Sequence, residues 1–223
     1  MSTLIKAVLL LVVSFVLLAG LAHAETRSFQ HTIASMYPEQ TRVVSVRVPP
    51  SYSTALHVRY PVLYLLDGEF NLDYSVAVAD YLSANGLMPE VIIVGLHAGT
   101  SRKQDYLPNN EELNTAFSGD AGQFLTYIEN ELIALVESKY RSTDFRMLSG
   151  HSYGGVFVLH AMAKKPHLFQ AYLTQSPFLD ETIGPAVVER LQTALHNESQ
   201  DNGDLEPFHY MTWGNEPNLD AQI

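Results

Sequence analysis

The residues with the clearest capacity for chemistry are Gly150-His151-Ser152-Tyr153-Gly154-Gly155. A serine in the pattern G-x-S-x-G can act as a nucleophile when it sits on a sharp reversal between a strand and a helix. The reversal takes so few residues that the serine adopts a strained backbone, and its hydroxyl projects above the sheet. Side chains at 150 and 154 are expected to collide with strand and helix, so glycine is expected at both. The flanking sequence supplies the context: Asp144 to Ser149 reads as a short buried strand and Val156 to Lys164 as a helix. The plainer alternative is an ordinary N-cap serine opening a glycine-rich helix, and the strand before it weighs against that. The chemistry implied is covalent. An activated serine oxygen attacks, and backbone N–H groups stabilise the oxyanion that forms.

Such a serine needs a sheet beneath it. Tyr60-Pro61-Val62-Leu63-Tyr64-Leu65-Leu66 is apolar on both faces, the pattern of a central parallel strand covered by helices on either side. It ends in Asp67-Gly68-Glu69, at the carboxyl edge where open α/β sheets place ligands. Leu72, Val76, Ala79 and Leu82 recur at helical spacing, and Val91 to Leu96 reads as another fully buried strand. Before these, Arg27 to Ala34 and Arg42 to Val48 alternate apolar and polar residues, as strands of a meander ended by Pro49-Pro50. His97 to Gly119, which contains Arg102 and Asp105, reads as an irregular functional loop. Asp120 and Gln123 form a capping-box pair ahead of a helix whose stripe is Phe124, Ile128, Leu132 and Leu135. Phe169 to Thr174 and Phe208 to Trp213 read as strands, with a helix between them marked by Val187, Val188, Leu191 and Leu195. Strands alternating with helices after an antiparallel start predict an α/β fold with a mostly parallel sheet flanked by helices.

The length of 223 residues suits one domain. Lys6, the apolar run from Ala7 to Leu21 and the Ala22-His23-Ala24 pattern make residues 1–24 a secretory signal peptide, which leaves 25–223 as the domain. The apolar run is short for a bilayer span of ~20 residues, so no stable membrane anchor is expected after cleavage. The chain has no cysteine, so its fold rests on its core without disulfides. Removing Lys6 leaves 12 basic against 24 acidic residues, a net charge of −12. That surface argues against nucleic acid and anionic membranes as partners.

The assembled pieces resemble the α/β-hydrolase fold, and more narrowly the esterase family that includes esterase D, feruloyl esterases and enterobactin-type siderophore esterases. The resemblance rests on "PVLYLLDG" at 61–68, "RKQDYLP" at 102–108, "GHSYGG" at 150–155, Gln175-Ser176-Pro177 and Gly214-Asn215-Glu216. It implies hydrolysis of small-molecule carboxylic esters without metal or organic cofactor. It also implies roles. Ser152 is the nucleophile, and the N–H groups of Tyr153 and Glu69 hold the oxyanion. Glu216, on the turn after the last strand, is the acid that orients a histidine, with Asp220 as its competitor. Arg102 and Asp105 either shape and charge the substrate pocket or form a local ion pair that fixes the loop.

The histidine itself is the departure. In this family it follows the acid turn after one more helix and strand, and the nine histidines here all precede Glu216. His97 alone lies at the carboxyl end of a central strand, where a loop-anchoring role suits it. The domain is therefore expected to be incomplete at its carboxyl end, lacking the final helix, the edge strand and the base. The reading that follows is an exported, periplasmic or secreted serine esterase, expected to be inactive in this form for want of its histidine. A non-catalytic esterase-like binding protein and an acyltransferase on the same scaffold are the rivals.

Overall fold

The computed structural model describes residues 27–37, 39–109, 119–181, 183–198 and 207–213. The signal segment 1–24, Glu216 and Asp220 lie outside them. The described chain forms seven strands: β1 Ser28–Met36, β2 Glu39–Arg47, β3 Tyr60–Leu66, β4 Ile92–Leu96, β5 Ser142–Ser152, β6 Ala171–Pro177 and β7 Phe208–Thr212. They make one sheet in the order β1-β2-β4-β3-β5-β6-β7. β1 and β2 pair antiparallel, as does β2 with β4, and every other pair is parallel. The two antiparallel strands are those whose sequence alternates. β3 and β4 carry the runs that are apolar on both faces, because helices cover them from both sides.

The helices are α1 Gly68–Ala84, α2 Arg102–Tyr106, α3 Ala121–Tyr127, α4 Ile133–Lys139, α5 Tyr153–Lys164 and α6 Gly184–Glu198. α3 and α4 are one rod joined by a π turn at Ile128–Leu132. Asp120 caps it as its sequence predicts, accepting the Gln123 N–H at 3.3 Å. The segment after His97 is more ordered than an irregular loop. A 3₁₀ turn at Gly99–Ser101 leads directly into α2.

Alternate residues of β3 sort the core into two layers. Val62, Tyr64 and Leu66 join Val94, Leu96, Leu148, Phe124, Ile128 and Phe157 in the larger cluster. Leu65, with Ile93, Leu72 and Val91, forms a smaller one beneath α1. A third patch seats α6 on α5 through Val156, Leu159, Ile183 and Val187. Among the described residues no helix is long and apolar enough to cross a membrane.

Candidate active site

Ser152 is the last residue of β5 and the cap of α5, with φ 59° and ψ −118°. A non-glycine residue at such a φ costs of order 1–3 kcal/mol and persists only where its surroundings impose it. The surroundings here are steric. A Cβ at position 150 would lie 2.4 Å from the Gly154 carbonyl oxygen, so only glycine lets α5 begin so close to β5. The expectation that 154 is equally constrained is corrected. A Cβ there would meet Leu66 Cδ1 at 3.4 Å and Asp67 Oδ2 at 3.5 Å, ordinary contacts. Gly155 is the second demanding position, because its Cβ would lie 2.9 Å from Pro177 Cα on β6. Pro177 pairs with Ser152 across a register shift, and the Phe178 N–H donates to the Ser152 carbonyl at 3.1 Å.

The turn after β3 comes to the same place. Asp67 adopts a left-handed conformation, φ 54° and ψ 44°, and starts α1. The next residue must be glycine, since a Cβ at Gly68 would stand 2.4 Å from the Gly95 carbonyl carbon on β4. α1 is thereby held hard against the sheet. The N–H of Glu69 lies in its first turn, and that of Tyr153 opens α5. Such first-turn N–H groups have no intrahelical acceptor and lie at the positive ends of their helix dipoles. The first turn of α5 sits against Leu66 and Asp67, so the two helix starts adjoin. The Glu69 side chain is committed elsewhere: it accepts from the N–H groups of Ala98 (3.2 Å) and Gly99 (2.8 Å) and fixes the loop after β4.

Arg102 is the fastener between the two turns. It grips Asp67 with both ends of its fork, Nε–Oδ1 2.8 Å and Nη2–Oδ2 3.0 Å. The same Nη2 donates to the His151 carbonyl at 3.1 Å. The hydrogen bond to Asp67 is the main reason its pKa is raised. The Asp67 N–H donates to the Tyr106 hydroxyl at 3.1 Å, and burial keeps that phenol protonated. Arg102 also lies 5.4 Å from the Tyr153 ring centre, with Lys103 Nζ on the same ring at 5.7 Å. The sequence reading named Asp67 only as part of the turn at the carboxyl end of a buried strand and gave its side chain no role.

Asp105 goes elsewhere. It is 1% exposed, and Arg42 of β2 takes both its carboxylate oxygens at 2.8 and 2.9 Å. The Arg42 guanidinium lies over Phe124 and Tyr127 at 4.6 and 4.8 Å. Asp105 thus anchors α2 into the core, and the pocket candidate becomes a buried ion pair. Its partner is Arg42 rather than Arg102. Among the described residues no histidine bonds to the Ser152 hydroxyl. His97 anchors its loop, with Nε2 2.9 Å from Ser45 Oγ on β2. His209 is 3.0 Å from Thr174 Oγ1, and burial lowers its pKa. His31 is 2.6 Å from the Tyr140 hydroxyl.

The arrangement is that of acyl chemistry: a strained serine beside two helix starts whose free N–H groups could receive an oxyanion. Comparison with known proteins gives matching results. The model of the family described as "Putative esterase" matches residues 35–220. The apo-salmochelin esterase of Escherichia coli O6:H1 is 29% identical over 167 residues, which cover 68% of this chain and 52% of that protein. The siderophore triacetylfusarinine C esterase of Aspergillus fumigatus is 27% identical over 131 residues, 52% of this chain and 44% of that one. Among solved structures, an IroE-like serine hydrolase from Shewanella oneidensis superposes with a TM-score of 0.69 at 30% identity, covering 82% of this chain and 60% of that one. The chain spans about half the length of the curated relatives it matches.

Proposed function

This chain belongs to the esterase family whose model spans residues 35–220, and from that premise we propose that it is a serine esterase whose nucleophile is Ser152. The observation that carries the reading is the strained Ser152 backbone, φ 59°, between β5 and α5. In the proposed reaction a base takes the Ser152 proton as its oxygen adds to the ester carbonyl. The N–H groups of Tyr153 and Glu69 receive the oxyanion. Collapse of the tetrahedral intermediate expels the alcohol, and water then releases the acid. Arg102 positions both donors, since it ties the turn before Glu69 to the turn before Tyr153. Glu216 is proposed as the acid behind a histidine base, and none of the described histidines is assigned that part.

The substrate class proposed is the ester-linked siderophore, on the strength of the relatives' names. The cationic Arg102 and Lys103 around the Tyr153 ring supply a recognition surface for electron-rich aromatic or anionic groups on such an ester. The decisive experiment has two arms. A fluorophosphonate probe is expected to form its adduct on the peptide containing Ser152 and on no other serine. Hydrolysis of triacetylfusarinine C, followed by chromatography, is expected to exceed that of p-nitrophenyl acetate at equal concentration. An adduct elsewhere overturns the nucleophile. Preference for the simple ester overturns the substrate class alone.

Export is part of the proposal and rests on Lys6, the apolar run Ala7 to Leu21 and Ala22-His23-Ala24. Amino-terminal sequencing of the protein recovered outside the cytoplasm is expected to begin at Glu25. Recovery with an intact Met1 would refute it.

A further inference from the structure

α1 is apolar on its inner and outer sides, with its charges confined to one flank, and a helix apolar on two sides is closer in composition to a covered helix than to a surface one. Its inner side packs on β2, β3 and β4. Its outer side carries Phe70, Tyr74, Ala77, Val78, Tyr81 and Ala84, at the three- and four-residue spacing that makes one continuous stripe. The only charges on the helix are acidic, and all are spent within the chain. Glu69 holds the N–H groups of Ala98 and Gly99, Asp73 pairs with Arg47 at 2.9 Å, and Asp80 pairs with Arg27 at 3.0 Å. All three lie on one flank, so the stripe itself bears no charge.

We propose that this stripe is the interface of a two-fold homodimer, in which α1 of one copy packs antiparallel on α1 of a second copy about Ala77 and Val78. Area favours a second copy. Phe70 is 78% exposed, Tyr74 53%, Val78 53%, Tyr81 66%, and Leu87, just past the helix, 70%. With ~150–250 Å² for a whole aromatic side chain, that is about 600 Å² per copy. If all of it were covered, two copies would remove up to ~1,200 Å² from water, the lower edge of the range of specific interfaces. The order of side chains favours it too. A two-fold axis between Ala77 and Val78 sets Ala77 opposite Val78, Tyr74 opposite Tyr81, and Phe70 opposite Asn85 just past the helix. The stripe is thus complementary to itself, as an isologous contact requires. Charge disfavours a lipid surface, because an interfacial helix carries a cationic polar face and α1 has neither lysine nor arginine.

The chain has no cysteine, which makes single-cysteine probes unambiguous. The purified protein with Ala77→Cys is expected to form a disulfide-linked dimer under mild oxidation. With Ala84→Cys it is expected not to, since those residues of two antiparallel copies would be ~20 Å apart, far beyond the ~7 Å that a disulfide spans. Sedimentation equilibrium of the parent protein is expected to show a dimer, and Tyr74→Lys with Tyr81→Lys to raise its dissociation constant about 100-fold or more. The thermal melt of that double variant, expected to stay cooperative, separates loss of the interface from loss of the fold. A parent that sediments as a monomer overturns the proposal. So does equal cross-linking at 77 and 84, or a dimer indifferent to the paired lysines. Recovery of α1 bound to a different protein or to vesicles, with no self-association, equally refutes it.

Discussion

Ser152→Ala is expected to lower ester turnover by about 10⁴-fold or more, with the fold retained. Enzymes of this mechanism lose that much when the nucleophile is removed, and the remainder comes from oxyanion donors and substrate binding. The variant isolates chemistry because the alanine needs nothing that the serine supplied to the fold. The Ser152 carbonyl still accepts from Phe178, and Gly150 and Gly155 still permit the tight reversal. Removing a side chain does not relax the φ of 59°, so the elbow keeps its geometry. KM is expected to change little, because the N–H donors at Tyr153 and Glu69 and the cations at Arg102 and Lys103 remain. Initial rates with one ester over a range of concentrations, and the melting temperature of both proteins, check this. A loss below tenfold would remove Ser152 from the reaction.

Asp105→Ala is expected to cost about 3–5 kcal/mol of stability, the usual penalty for leaving half of a buried ion pair. Arg42 and Asp105 show side-chain exposures of 4% and 2%, so water cannot replace the lost carboxylate. The rings of Phe124 and Tyr127 soften the charge of Arg42 but offer no hydrogen-bond acceptors to its donors. For a chain of this size each kcal/mol moves the melting temperature by about 2–4 °C, so a fall of roughly 6–20 °C is expected. The pair Arg42→Met with Asp105→Leu is expected to recover most of the loss, because it removes both charges and keeps the volume. Calorimetric melts of the single and paired variants decide the matter. A single variant within about 1 kcal/mol of the parent would mean that the charge finds another partner. Activity is the second readout. α2 carries Arg102 at one end and Asp105 near the other, so loosening Asp105 slackens the clasp on Asp67.

The elements and the sharp turn at Ser152 were legible because their signals are local. Alternation of burial along β2, apolarity on both faces of β3 and β4, and the Asp120–Gln123 cap each span a few residues. Each expresses a backbone period or a single helix end. The G-x-S-x-G spacing is equally local, since it encodes one steric demand between a strand and the helix that follows. Even there the glycine roles shifted. Gly155 proved more constrained than Gly154, because its limit is Pro177 on the neighbouring strand.

What the tertiary structure alone decided was which partner each charge found. Arg102 and Asp105 sit three residues apart and read as one pair or as two pocket residues. The fold sends Arg102 to Asp67, 35 positions away, and Asp105 to Arg42, 63 positions away. The cause is the order of the strands. β4 inserts between β2 and β3, so α2, which follows it, lies between the turn after β3 on one side and β2 on the other. Arg102 and Asp105 lie three residues apart on α2, and the elements flanking the helix give each a different partner. A sequence records the helical spacing of two charges but not which strands will flank the helix. That is set by pairings between segments far apart in the chain, and those pairings exist only once the sheet has closed.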